Sequence, residues 1–162
     1  MPAQSFSLGY AVSVGAGADL PVTVGDATGI AHLLNDPARC AYPRDQVRLL
    51  TEGDARRQEV LDALDWLAQS ATPEDTAVVY FSGHGMLTPQ GHYLLPNSYD
   101  LQSVDQTCIS DQVLTEKLRA VQAQKLLVLL DCCHAGGIGE AKAPGDKSPL
   151  PPTAVETLSQ GE

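Results

Sequence analysis

Apolar positions along this chain fall into two alternating patterns. Residues 7–14 (SLGYAVSV) form a short run that reads as a first strand. A loop rich in glycine and aspartate covers 15–21, and Ala27, Ile30, Leu33 and Leu34 then recur at helical spacing as far as Asn35, Asp36 and Pro37. Residues 46–50 (QVRLL) read as a second strand, followed by a turn and cap at Thr51, Glu52, Gly53 and Asp54. Over 54–71, Val60, Leu61, Leu64 and Leu67 repeat every three or four positions, and Trp66 joins this helix in covering a sheet. Residues 77–81 (AVVYF) and the run Leu126, Leu127, Val128, Leu129 and Leu130 are continuously apolar. Such runs fit strands buried on both faces of a parallel sheet. Between them, 86–96 (MLTPQGHYLLP) reads as a hairpin with its tip at Pro89, Gln90 and Gly91. Residues 97–107 are polar and loop-like, and Ile109, Ser110 and Asp111 open a helix over 112–124.

The order is strand, helix, strand, helix, strand, hairpin, helix, strand. Alternation of this kind predicts an α/β fold, a mostly parallel sheet with helices on both faces. Right-handed crossovers bring the strands that end near His84 and Asp131 alongside each other. No internal repeat is evident. From Ile138 the composition shifts, and Pro144, Gly145, Pro149, Pro151 and Pro152 break any regular element. The expected organisation is one domain over 1–137 and a flexible linker over 138–162.

Composition narrows the class. A chain of 162 residues, 43% hydrophobic and 19% charged, reads as one soluble globular domain. Its formal net charge of −10 disfavours nucleic acid and anionic membranes and suits basic substrates. The four cysteines, Cys40, Cys108, Cys132 and Cys133, contain no C-x-x-C pair, which argues against a zinc site. Their low density reads as reduced thiols in a cytoplasm. The sequence shows no signal-peptide pattern and no apolar run of membrane-spanning length.

Chemistry gathers where the two apolar runs stop. One ends in Ser82, Gly83, His84 and Gly85. The other ends in Asp131, Cys132, Cys133 and His134, then the small residues Ala135, Gly136 and Gly137. Ligands of open α/β sheets sit at the carboxyl ends of strands. Each stretch has a plain structural reading: a loop histidine, and two core cysteines before a glycine turn. An imidazole and a thiol at matching ends of neighbouring strands are harder to set aside.

His84 lies 49 positions before Cys133, and in caspases the histidine stands about 50 residues upstream of the nucleophile. Residues 80–85 (YFSGHG) resemble the histidine motif of caspase-like peptidases. Residues 131–136 (DCCHAG) resemble the D-x-C-H-x-G box of their metacaspase branch rather than the Q-A-C-x-G box of animal caspases. The resemblance covers roughly residues 5–140 and is to the family's large catalytic subunit. It implies a caspase-like three-layer sandwich and a cysteine endopeptidase. Cys133, not Cys132, aligns with the nucleophile. His84 is then the general acid–base, with the adjacent His134 the lesser alternative. The backbone N–H groups of Gly85 and Cys133 become the oxyanion donors. No third orienting residue is evident, as in a Cys-His dyad.

The same resemblance assigns Asp26, Ser82 and Asp131 to an acidic S1 pocket for P1 Arg or Lys. The plain readings are a helix cap for Asp26 and a strand-end turn for Asp131. Many metacaspases use calcium. Asp100, Asp111 and Glu140 fall loosely near the family's acidic site, but they read better as solvated loop acids, so no metal or other cofactor is expected. The expected partners are proteins with basic P1 residues, a small catalytic subunit that completes the sheet, and an upstream activating protease. Cleavage in the linker, where Lys142 and Lys147 lie, would mature a zymogen. A prokaryotic source fits the compact domain. Two other readings stay open: a catalytically silent caspase-fold scaffold that binds partners, and a redox protein using Cys132 and Cys133.

Overall fold

A computed structural model describes residues 6–135 of the chain. The linker expected over 138–162, with Glu140, Lys142 and Lys147, lies outside the described residues, as do Gly136 and Gly137.

The elements follow the expected order with two additions, a short helix where a loop was expected and a strand where a helix was expected to open: β1 (Gly9–Gly15), α1 (Val22–Asn35), β2 (Val47–Thr51), α2 (Arg57–Ser70), β3 (Thr76–Thr88), β4 (Gly91–Leu95), the added helix α3 (Val104–Thr107), the added strand β5 (Ile109–Ser110), α4 (Asp111–Arg119) and β6 (Lys125–Ala135). β1 pairs in parallel with β2 and with β3, and β3 pairs in parallel with β6 on its other side. β4 pairs antiparallel with the distal part of β3, beyond the end of β1, and β5 pairs antiparallel with β4. The sheet is therefore mostly parallel, with an antiparallel hairpin added at the carboxyl end of its central strand.

Helices cover both faces. Along β1, Val12 and Val14 join the main core with Leu61, Leu64 and Leu67 of α2 and Leu114 and Leu118 of α4. Leu64 and Leu67 are essentially fully buried, each contributing about 2 kcal/mol by removal from water. On the opposite face Ala11 and Val78 meet Leu34 of α1. Ser13 is fully buried there, and its hydroxyl donates to Ala27 O at 2.8 Å, which satisfies a polar group inside that layer. Trp66 does cover the sheet: its ring meets the edge of Tyr10 at 6.0 Å and carries the Arg48 guanidinium 4.1 Å from its centroid.

Several boundaries differ from expectation for identifiable reasons. β3 does not stop at Phe81. It runs through Ser82, Gly83 and His84 into the hairpin, because β6 pairs alongside as far as Met86 and β4 supplies a partner on the other side. β6 likewise continues past Leu130 to Ala135, so Asp131 is a strand residue and not a turn. The helix expected over 112–124 is shorter. Ser110 caps it by accepting from Val113 N at 3.2 Å. The cap expected at Asp54 is absent from α2, whose cap position is Arg56. Asp26 is not a cap either. α1 begins at Val22 after Pro21, which places Asp26 in the second turn.

Candidate active site

The parallel β3–β6 ladder sets the relations within the site. In its register Ser82 is the partner of Asp131, His84 of Cys133, and Gly85 of His134. Two motifs far apart in sequence thus become adjacent rows of one sheet. Cys133 and His134 are positioned by their backbone as part of β6.

The strand ends are held closely. Gly83 stands where a Cβ would come within 2.8 Å of Ala16 O and 2.9 Å of the Phe81 ring, so a side chain there would push the end of β1 away from β3. Ala16 N donates to Ser82 O at 2.8 Å, extending the β1–β3 contact beyond the ladder.

Of the three residues expected to form an acidic pocket, Ser82 is fully buried and its hydroxyl donates to Asp26 Oδ2 at 3.2 Å. Asp131 lies across the ladder from Ser82. Asp26 and Asp131 are both partly buried. Ser82 is thus hydrogen-bonded to a carboxylate on α1 and is the register partner of an aspartate on β6, at the carboxyl end of the parallel strands.

His84 has a partner that the sequence did not reveal. Its Nε2 lies 2.9 Å from both Oδ1 and Oδ2 of Asp19, with 22% of the His84 side chain and 68% of the Asp19 side chain exposed. Asp19 sits in the loop between β1 and α1. That loop is shaped by Gly17, whose φ of 122° is a left-handed-side value suited to glycine. A Cβ on Gly17 would also stand 3.2 Å from Leu20 Cβ and 3.8 Å from His84 Cδ2. Gly17 N donates to Asn97 Oδ1 at 2.7 Å, and Leu20 N to Gly17 O at 2.9 Å. Asn97 in turn donates through Nδ2 to Glu52 O and through its backbone N to Ala55 O. One side chain thus ties the loops after β1, β2 and β4 together. A cavity of about 440 Å³ opens among these loops, lined by Gly17, Val24, Glu52, Arg56 and Asn97 among others.

Two further thiols are buried. Cys132 is 6% exposed and packs in the main core. Cys108 is buried beside Tyr93, and burial pushes its thiol above the ordinary value. The loosely placed acids are engaged in local turns: Asp100 Oδ1 accepts from Gln102 N at 2.9 Å and Asp111 Oδ1 from Gln112 N at 2.7 Å. Among the described residues no three His, Cys, Asp or Glu side chains gather as a metal site. Among the described residues no helix is long and apolar enough to cross a membrane.

A family model for the caspase domain matches residues 8–158. The chain belongs to the caspase-domain family. Its similar curated proteins include Metacaspase-1B of Aspergillus terreus, 26% identical over 127 residues, covering 70% of this chain and 33% of that protein. Metacaspase-1 of Candida albicans is 32% identical over 116 residues, covering 60% of this chain and 26% of its own length. The chain thus spans a third or less of these metacaspases. A crystal structure of a protein from Geobacter sulfurreducens superposes with a TM-score of 0.59 at 23% identity, covering 80% of this chain and 52% of that one. Its likeness is one of fold, and it agrees with the caspase-like α/β sandwich described above.

Proposed function

We propose that this caspase domain is the large catalytic subunit of a cysteine endopeptidase that cuts proteins after Arg or Lys. Membership of the caspase-domain family and similarity to metacaspases support a cysteine-type peptidase, a hydrolase. The observation that carries the finer reading is the β3–β6 register, with His84 and Cys133 as partners on adjacent strands.

In this reading His84 accepts the thiol proton of Cys133. The thiolate attacks the scissile carbonyl, and the imidazolium later protonates the leaving amine. Water then hydrolyses the thioester. The backbone N–H groups of Gly85 and Cys133 take the oxyanion, each worth about 3 kcal/mol of barrier. Asp26 and Asp131 hold the P1 guanidinium or ammonium, with Ser82 keeping the Asp26 carboxylate in place by its hydrogen bond.

The small subunit belongs to the same proposal. β6 pairs only with β3 among the described residues. Leu127 and Leu129 on one of its faces are 52% and 39% exposed. An apolar edge strand of this kind suits further strands and a covering helix. Cleavage at Lys142 or Lys147 by the enzyme itself or by an upstream protease would then release a precursor from restraint.

Labelling with an Arg-ketone covalent inhibitor, followed by peptide mapping, tests the reading. Modification of Cys133 that depends on His84 supports it. Labelling of Cys132, or none at all, would favour the redox or scaffold readings. Mass spectrometry of the full-length protein, intact and as Cys133→Ala, tests processing. A fully active protein never cut after Gly137 would end the zymogen part.

A further inference from the structure

We infer that Asp19 is a positioning residue for His84, adding a third, orienting group to the expected pair of catalytic groups. The inference rests on the peptidase reading above and concerns how the histidine is prepared. A carboxylate only accepts hydrogen bonds, so the imidazole nitrogen that meets both Asp19 oxygens at 2.9 Å carries the proton. With Nε2 protonated, the lone pair of the neutral ring is left on Nδ1. Asp19 thereby selects the tautomer in which Nδ1 is the base.

The proton balance is simple. Nδ1 takes the proton of the Cys133 thiol, the S–H electron pair stays on sulfur, and the ring becomes a cation. The Asp19 carboxylate already lies against that cation and stabilises it without itself gaining a proton.

The surroundings indicate a built contact. Hydrogen bonds fix the loop on both sides of Asp19, from Gly17 N to Asn97 and from Leu20 N to Gly17 O. Thr23 then closes the loop onto α1, its N and Oγ1 both donating to Leu20 O. Gly17 lies close to the imidazole edge, where a Cβ would stand 3.8 Å from His84 Cδ2. The ring is thus approached by the same loop at Gly17 and at Asp19. Exposed ion pairs are individually weak. This one acts on a ring that is 22% exposed, and a substrate lying over the site would exclude water from it and strengthen it.

The alkylation rate of Cys133 by iodoacetamide, read by peptide mapping on the full chain, tests the inference without needing peptide turnover. The set is wild type, Asp19→Ala, Asp19→Asn, Asp19→Glu, His84→Ala and the double variant Asp19→Ala/His84→Ala. Asp19→Ala and Asp19→Asn are expected to slow alkylation about tenfold, which is about 1.4 kcal/mol. Asp19→Glu is expected to recover most of that rate. In the His84→Ala background, removing Asp19 is expected to change nothing further, because its effect passes through the ring. An unchanged rate in both Asp19→Ala and Asp19→Asn, or an equal loss with and without His84, would overturn the inference. Failure of the peptidase reading shows separately, as absence of Arg-P1 hydrolysis by the wild-type chain after linker cleavage and assembly with the proposed small subunit.

Discussion

Ser82 and Asp26, 56 residues apart, are joined by a 3.2 Å hydrogen bond from the serine hydroxyl to Asp26 Oδ2. The serine is fully buried in β3 and the aspartate lies in the second turn of α1. The contact pins a carboxylate beside the carboxyl end of the sheet. Ser82→Ala is expected to lower stability by about 1 kcal/mol and to weaken kcat/KM for Arg-P1 peptides severalfold. Urea denaturation and peptide kinetics on one preparation check both effects. An unchanged kcat/KM would detach Ser82 from substrate binding.

Arg-P1 and Lys-P1 peptides are expected to be cleaved and Asp-P1 peptides to be refused. Asp131, the register partner of Ser82, should carry much of this preference. Asp131→Ala is expected to lose ten- to a hundredfold in kcat/KM, roughly the worth of one charged hydrogen bond. An exposed acid such as Glu74, in the turn before β3, should lose almost nothing on conversion to alanine. A panel of fluorogenic peptides differing only at P1 measures the contrast. A preference for Asp at P1 would refute the acidic pocket.

The two adjacent cysteines should separate cleanly. Cys133→Ala is expected to abolish hydrolysis with little change in melting temperature. Cys132 packs in the main core, so Cys132→Ala should cost about 1 kcal/mol of stability through a small cavity and keep most of the activity. Thermal melts paired with peptide hydrolysis decide. Equal loss of activity in both, at unchanged melting temperature, would remove the assignment.

Tyr93 gives a stability signature at alkaline pH. Its hydroxyl donates to Asp105 Oδ1 at 2.7 Å. That hydrogen bond and burial raise the phenol above its ordinary value of 10.0. The folded state thus binds the proton more tightly than the unfolded chain. Stability from this group is complete below pH 10 and falls as pH rises from there through the folded value. Denaturant curves below and above pH 10 should show the loss, and Tyr93→Phe should flatten it. An equal alkaline loss in the Phe variant would mean that other groups cause it.

Leu127, 52% exposed on β6, should matter more to assembly than to folding. Leu127→Lys is expected to change the stability of the isolated chain by less than about 0.5 kcal/mol while weakening association with the proposed small subunit. Sedimentation of the mixed subunits checks this. Unaltered association would locate the joint elsewhere.

The order of strands and helices was legible from the chain because apolar periodicity is a local property. Every central element overlaps the stretch where the pattern puts it. The pairing of His84 with Cys133 could also be anticipated, since right-handed crossovers leave few ways to arrange such strands. What failed were boundaries set by partners. Residues 82–85 look like a loop because Gly83 and Gly85 have low strand preference, yet β6 pairs along all four, while on the other side β1 pairs with Ser82 and β4 with His84 and Gly85, and these partners hold them extended.

Asp26 and Asp19 show the sharper limit. An aspartate ahead of an apolar helical pattern looks like a cap, but α1 begins earlier, behind Pro21. That turns the same carboxylate toward Ser82. Asp19 looks like any loop acid. Its meeting with His84, 65 residues away, depends on a glycine at φ 122° and on Asn97 clamping the loop from a third segment. The sequence by itself determined the α/β order and the two motif-bearing strand ends, because spacing and residue type act over short range. Tertiary structure alone decided which carboxylates reach those ends, because loop closure and strand register are properties of contacts between distant segments.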